Sequence, residues 1–313
     1  LSLPVKGILK YSPAKIGAFL YSHLIKRHFE KKCAIANADL IHFWHPAPAM
    51  AFLDKKYIVT CLGMEMLPKN IGGYRKIMYQ KVLDNASVIH VISHYTKNLV
   101  VNLLGAPQDK IRLINPPIDY EKFASNNRIS KDKTIIGTLT RFNKRKNVPN
   151  IIKALNILKE KYNTDFKYYL AGDGVENKRI MDELRKAKFE WKYFREISEE
   201  KKIKEFYPAL DVFVLPPLDL PNDVEGFGIV YLEANAYGIP VVASKTGGVP
   251  DAVKEGISGE FANPTSPEDI AITILKTLKD KNKYLQSAKN WAKQFDVNKK
   301  AKEFAEMYEG VIR

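Results

Sequence analysis

Two carboxylates, Glu225 and Glu233, stand eight residues apart around Gly226-Phe227-Gly228-Ile229-Val230. A second charged pair, Arg141 and Lys146, is five apart and lies in a basic run, 140–146, directly after an apolar stretch at 134–139. In open parallel sheets ligands bind beyond the carboxyl ends of the strands. A basic cluster there neutralises a diphosphate, the arginine offering a planar fork of donors and the lysine a movable point charge. The glycine-bearing turn leads into a helix predicted at about 228–237, whose first amides and dipole suit an anion. Gly226 and Gly228 let backbone approach a ligand closely. Glu225 precedes that helix and Glu233 lies a little over two turns on, near the same face. One carboxylate at the mouth and one deeper suit two hydroxyl-rich parts of one ligand. A lone basic run also reads as a solvated loop, and carboxylates eight apart occur on many helices. The glycine context, continued by 238–244 and by Gly247-Gly248, makes the pattern specific.

The elements that must position these residues alternate short apolar strands with helical stretches, the pattern of α/β architecture with parallel sheets. In the first half, strands are expected at 40–43, 57–60, 88–92 and 111–114, with helices at 72–86 and 94–104. A polar stretch between 119 and 133, containing Ser125-Asn126-Asn127-Arg128, reads as a linker. Beyond it, strands at 134–139, 166–170, 211–215 and 239–243 alternate with helices at about 147–162, 176–188 and 228–237. Helices at 267–280 and 297–312 close the chain. The expected domains are 1–130 and 131–313, the second doubly wound.

The 313 residues suit about two domains. Hydrophobic residues make up 45% and charged residues 27%, and no run approaches the roughly 18 apolar residues of a membrane span. The chain starts at Leu1 without an initiator Met and without the features of a signal peptide. Two cysteines, Cys33 and Cys61, lack metal-ligand spacing and read as buried thiols in a reduced, cytoplasmic setting. A net charge of +15 attracts polyanions: nucleic acid, anionic lipid or a phosphorylated small molecule. Nucleic acid is set aside because no platform interleaves basic residues with aromatics. Residues 1–36 carry seven lysines and arginines against Glu30, with Ile16, Leu20 and Leu24 on one helical face. That segment reads either as a core helix with a solvated basic face or as a peripheral contact with an anionic membrane.

The stretch from 216 to 259 resembles the donor site of the family-4 retaining glycosyltransferases of the two-Rossmann-domain (GT-B) type. The family places Glu, seven residues and Glu around a Gly-Phe-Gly turn, matched by Glu225, Glu233 and Gly226-Phe227-Gly228. Its Arg and Lys, five apart, match Arg141 and Lys146, and its Gly-Asp-Gly matches Gly172-Asp173-Gly174. The resemblance covers roughly 85–265. It implies two facing Rossmann-like β/α/β domains with a cleft between them, the donor on the second and the acceptor on the first. It also implies a nucleotide diphosphate sugar as donor, of UDP or GDP type, and a glycan, lipid-linked or other hydroxyl acceptor. Arg141 and Lys146 would bind the diphosphate and stabilise its departure, Glu225 would contact the hexose and Glu233 the ribose. Amides of Phe227 to Val230 would hold phosphate oxygens, with Gly172 and Asp173 completing the donor site. This is electrostatic stabilisation of a leaving group, with no cofactor and no essential metal; the Asp-x-Asp of metal-dependent transferases is absent from the chain.

The chain departs from the family at several points. Asn147 stands where Gly usually follows the lysine, Pro216-Pro217 replaces Pro-Ser, and a longer insert occupies 218–224. The glycine that receives the base is missing near Phe194-Arg195-Glu196-Ile197, and Leu62 replaces the histidine of a Thr-x-His-Gly turn, with Glu65 near the same region. The first half is short, either as an abbreviated acceptor domain or through a chain that begins late. His42 and His45, flanking Trp44 beyond a strand, are candidates for the acceptor side alongside Glu65, against a structural role for both histidines. A catalytically degenerate binding or partner subunit is the alternative to an active hexosyltransferase. A glycoside phosphorylase lacks its cofactor-bearing lysine motif here.

Overall fold

The computed structural model describes residues 38–124, 129 and 131–313. The basic segment at 1–36, Cys33 and the polar run 125–128 lie outside the described residues. The chain divides into two compact units. One holds the described residues up to Ile114 together with Lys302–Arg313, and the other is Asn115–Ala301.

The first unit is a parallel sheet of β1 (Ile41–Phe43), β2 (Tyr57–Cys61), β3 (Val88–Val91) and β4 (Ile111–Leu113), laid side by side in chain order. All five residues of β2 are buried, as a strand covered on both faces requires. Helices α1 (Tyr74–Asn85) and α2 (His94–Leu104) connect the later strands. The Ser93 hydroxyl accepts from the Thr96 amide to start α2, and Gly105 at φ 65° ends it. One face of the sheet packs Val59, Cys61, Ile89 and Val91 against Val82, Leu83, Val100 and Leu104. On the other face Ile58, Val88 and Ile114 meet Met307, with Phe304, Tyr308 and Val311 beside it. Those last residues come from the final helix, Val297–Ile312.

The second unit is a six-stranded parallel sheet. Its strands are β5 (Thr134–Leu139), β6 (Phe166–Ala171), β7 (Glu190–Phe194), β8 (Val212–Val214), β9 (Val241–Ala243) and β10 (Gly259–Phe261), in the order β10-β9-β8-β5-β6-β7. The chain winds outward from β5 to β7, returns to lay β8 beside β5, then winds outward the other way. The strand order therefore reverses between β5 and β8, and loops leaving those two strands diverge to opposite faces. Helices α3 (Val148–Lys161), α4 (Asn177–Leu184), α5 (Ile229–Ala236), α6 (Pro267–Lys279) and α7 (Lys281–Ala292) flank the sheet.

The division falls before the expected boundary at 130. Residues 115–124 pack with the second unit: the Ile118 amide donates to the Phe295 carbonyl at 2.9 Å, and the Val297 amide donates to the Ile118 carbonyl at 2.8 Å. Phe123 meets Tyr207 and Tyr237 edge-on, at 6.1 and 6.4 Å between centroids. Polarity marked the stretch from 119 as linker, but its Tyr120 and Phe123 are buried.

Candidate active site

The loops that leave β5, β8 and β9 carry most of the charged residues singled out above. The chain after β5 turns through Arg141 and Phe142 into a short 3-10 turn at Lys144–Lys146, begun by Asn143, whose side chain accepts from the Lys146 amide. Lys146 donates from Nζ to Glu225 Oε2. Arg145 donates from Nη1 to the same oxygen and from Nε to Asp223 Oδ1 at 2.9 Å. Lys146 and Glu225 are each about 12% exposed at the side chain, so this pair sits in low dielectric. Burial pulls the Lys146 ammonium below the ordinary lysine range, and Glu225 acts in the opposite direction. Arg141 is exposed at the same loop. The spacing of five thus separates one open cation from one already held against a carboxylate.

Glu225 is fixed through its backbone as well. Its carbonyl accepts from the Gly248 amide at 2.8 Å. Gly247, at φ 52°, lies so close that a Cβ there would meet the same carbonyl oxygen at 2.3 Å. Gly247 thus occupies a position only glycine fits, and the Gly248 amide buttresses the turn. Helix α5 begins at Ile229 behind Gly228, at φ 100°, and no side chain caps it. A Cβ on Gly228 would strike the ring of buried Tyr231 at 2.4 Å. Tyr231 in turn donates to the Leu215 carbonyl at 2.6 Å, tying the helix to the end of β8. Ile229 is exposed and Val230 partly exposed at the start of α5, while Phe227 is buried against Phe295.

The two glutamates do not lie on one helix, contrary to what their spacing suggests. Because α5 starts four residues after Glu225, only Glu233 is helical, and the two do not share a helix face by periodicity. Glu233 is positioned by Tyr207, which donates to its Oε2 at 2.5 Å from a fully buried ring stacked on Tyr237. The Gly172-Asp173-Gly174 loop after β6 presses on the β5 loop. The Phe142 amide donates to the Asp173 carbonyl at 2.9 Å, and Gly172 lies at φ 134° against the Thr140 carbonyl. The Asp173 carboxylate accepts from the Gly174 amide, from Asn177 at 2.5 Å and from Arg195 Nε at 2.9 Å. Arg195 above all, then those two donors, holds it below the usual carboxylate range. In this arrangement Asp173 braces its own loop.

Asn147, where the family has glycine, sits at φ 59°. Its side chain donates to the Pro216 carbonyl at 3.0 Å and the Pro264 carbonyl at 2.7 Å. Asparagine tolerates the left-handed conformation that glycine supplies elsewhere, and here it also ties the β8 loop to the β10 loop.

In the first unit, His42 is committed to a hydrogen-bond relay whose direction is fixed at one end. The Ile114 carbonyl can only accept, so His90 Nε2–H donates to it, at 2.9 Å. His90 Nδ1 then accepts from Thr60 at 2.8 Å, Thr60 accepts from His42 Nε2–H at 2.7 Å, and His42 Nδ1 accepts from the Tyr308 hydroxyl at 2.8 Å. Both rings are neutral in this chain. Burial first, then His90, brings His42 down to about 4. Trp44, more than half exposed, stacks on His42 at 5.0 Å. His45 accepts from the Ala47 amide at 3.0 Å as a helix cap, and burial lowers its pKa as well. Glu65 accepts from the Leu62 amide within the turn where the family histidine would stand. Cys61 is buried. Arg145, Asp223 and Tyr207 were not singled out from the sequence; Arg145 lay inside the basic run 140–146 and Asp223 inside the insert 218–224, Tyr207 in neither.

Among the described residues no helix is long and apolar enough to cross a membrane. The family description "Glycosyltransferase Family 4" matches residues 4–122, and "Glycosyl transferases group 1" matches residues 119–295. A GDP-mannose-dependent alpha-(1-6)-phosphatidylinositol monomannoside mannosyltransferase of Mycolicibacterium smegmatis is 29% identical over 233 residues, 70% of this chain and 59% of that protein. The amylovoran biosynthesis glycosyltransferase AmsK of Erwinia amylovora is 25% identical, over 79% of this chain and 62% of its own length. The chain therefore spans about three fifths of the length of these relatives. Among solved structures, a glycosyltransferase from Rickettsia africae superposes with a TM-score of 0.78 at 19% identity, covering 96% of this chain and 84% of its own. Anabaena Alr3699/HepE, solved in complex with UDP, gives 0.75 at 18%, covering 95% and 84%. With the second family description alone covering more than half of its residues, and with the doubly wound sheet carrying the glutamate and lysine pattern at its reversal point, this chain belongs to the family-4, group 1 glycosyltransferases of the GT-B fold.

Proposed function

We propose that the chain is a retaining, metal-independent hexosyltransferase that takes its sugar from a UDP- or GDP-linked donor bound on the second unit. The observation that carries this reading is the Lys146–Glu225 pair, placed by the loops of β5 and β8 at the point where strand order reverses. Arg141 and Lys146 would meet the diphosphate, the amides at the start of α5 its oxygens, Glu225 the hexose and Glu233 the ribose. As the glycosidic bond breaks, negative charge grows on the departing diphosphate, and cations fixed beforehand stabilise it without reorganising. No covalent nucleophile is assigned. The acceptor would be a glycan, lipid-linked or other hydroxyl, taken by the first unit; a cytoplasmic site of action with peripheral membrane contact through residues 1–36 belongs to the same reading. GDP-mannose dependence in the mycobacterial relative and UDP in the Anabaena structure make both nucleotides the first to try. The complete set Arg141, Lys146, Glu225 and Glu233 weighs against a degenerate partner subunit.

The test is a thermal-shift series with UDP, GDP, ADP and their sugar conjugates, with and without EDTA. A native-state ligand at 100 times its Kd adds about 2.7 kcal/mol of stability. One nucleotide should raise the midpoint regardless of EDTA, and Arg141→Ala should remove the rise. Glu225→Ala should fold and bind nucleotide yet lose transfer. Near-normal transfer by that variant would refute the assignment.

A further inference from the structure

Glu225 Oε2 receives two cations where one would neutralise it. We propose that Arg145 is a positioning residue that holds Glu225 in place, so that Lys146 can leave that carboxylate for the donor's diphosphate. The inference rests on the donor-site reading above and adds a division of labour to it. Lys146 cannot serve Glu225 and a phosphate equally at one moment. If it were the sole partner of Glu225, its departure would strand a buried, uncompensated carboxylate, which is strongly unfavourable. Arg145 removes that difficulty. It is 8% exposed, and its guanidinium spans Asp223 and Glu225 at once. Its backbone carbonyl accepts from the Leu218 amide at 2.7 Å. Arg145 thus grips the insert 218–224 near both of its ends, and the insert delivers Glu225. A fork of fixed geometry suits this job, and a lysine ammonium does not. Among the partners described for Glu225, both cations use Oε2, leaving Oε1 for a ligand hydroxyl.

The test separates sugar recognition from nucleotide recognition. Midpoint shifts are measured with UDP, GDP, UDP-glucose and GDP-mannose on the wild-type chain and on Arg145→Met, Arg145→Lys and Asp223→Asn. In the wild type the responding donor should shift the midpoint further than its nucleoside diphosphate does. In Arg145→Met and Arg145→Lys the nucleoside diphosphate shift should persist while that sugar increment disappears. Turnover of the donor should fall about tenfold or more in kcat, with KM for the donor changed less than about threefold. Asp223→Asn should show a partial loss of the increment. Arg145→Lys keeps the charge and most of the volume, so it serves if Arg145→Met does not fold. A full sugar increment in Arg145→Lys overturns the proposal while leaving the donor site standing. Loss of the nucleoside diphosphate response along with the increment also overturns it, since Arg145 would then hold the whole site. A wild-type chain silent toward all four probes refutes the donor-site reading, and this inference with it.

Discussion

Asn147 carries two loads that a single substitution would confuse. It adopts φ 59°, and its amide bridges the Pro216 and Pro264 carbonyls. Glycine in its place would keep the backbone conformation and lose the bridge; alanine would lose both. The left-handed conformation costs an ordinary residue about 1–2 kcal/mol, and a buried carbonyl left without its donor costs about 1–3 kcal/mol. The Pro264 carbonyl retains Asn150 at 3.2 Å, so the Pro216 carbonyl bears most of that loss. Asn147→Gly is therefore expected to lose about 1–2 kcal/mol and Asn147→Ala about 2–4 kcal/mol in urea denaturation. Equal losses in the two variants would mean that backbone strain has no part. From the sequence alone Asn147 stood out only as a departure. Its double use depends on where the β8 and β10 loops lie, and local sequence does not encode that. Arg145 illustrates the same limit. Its residue type was visible in the basic run, but its partners Asp223 and Glu225 are 78 and 80 positions away.

At the scale of elements, the site depends on loops pressed together with no room for a side chain between them. Gly172 is the tightest case: a Cβ there would lie 1.8 Å from the Thr140 carbonyl oxygen, backbone against backbone, at a φ of 134°. Neither atom can yield without moving a strand end, and Thr140 adjoins Arg141. Gly172→Ala should therefore destabilise the second unit by about 3 kcal/mol or more. It should also weaken the nucleotide-induced thermal shift out of proportion to that loss, because the Arg141 loop is displaced. A midpoint within a degree of wild type would show that the two loops do not bear on each other as described. The strands leading to these loops were legible because β5, β6, β8 and β9 are dense apolar runs, the mark of buried parallel strands. Strands β7 and β10 and helix α7 were not. Strand β7, Glu-Trp-Lys-Tyr-Phe, is an edge strand with its first three residues exposed, so its pattern is charged. Strand β10 has three residues, one of them Glu260, made tolerable by hydrogen bonds from Tyr284 and Lys276. Helix α7 is lysine-rich and buries only Tyr284, Ala288 and Ala292, a stripe four residues apart that periodicity shows and polarity hides.

At the scale of the whole molecule, the final helix contributes Lys302–Arg313 to the first unit, where Met307 covers Ile58, Val88 and Ile114. The relay that ends on Tyr308 joins this helix to four strands or strand ends, and it exists only while both histidines are neutral. A proton added to His42 or His90 turns an accepting nitrogen into a donor facing another donor hydroxyl, Tyr308 in one case and Thr60 in the other. The sign of the pH effect follows. His42 lies near 4 in the folded chain and near 6.5 when unfolded. Below pH 6.5 the unfolded state takes up the proton first, so stability complete above 6.5 is lost progressively as pH falls towards 4. The neighbours described for His42 are Thr60, His90, Trp44, Phe304 and Tyr308, none of them a carboxylate that would offset the loss. A buried histidine sets a ceiling of about 1.4 kcal/mol per pH unit; with His42 only partly buried, about half of that is expected after solvent screening. The reporter is built in. Trp44 stacks on His42, and the other tryptophans, Trp191 and Trp291, belong to the second unit. In a Trp191→Phe, Trp291→Phe background, the urea midpoint followed by Trp44 fluorescence should fall between pH 7 and 4.5. Adding His42→Gln should flatten that dependence even though it lowers the midpoint at pH 7. A midpoint indifferent to pH over that range, or an equal slope with glutamine at position 42, would show that the relay does not set the acid sensitivity of the first unit.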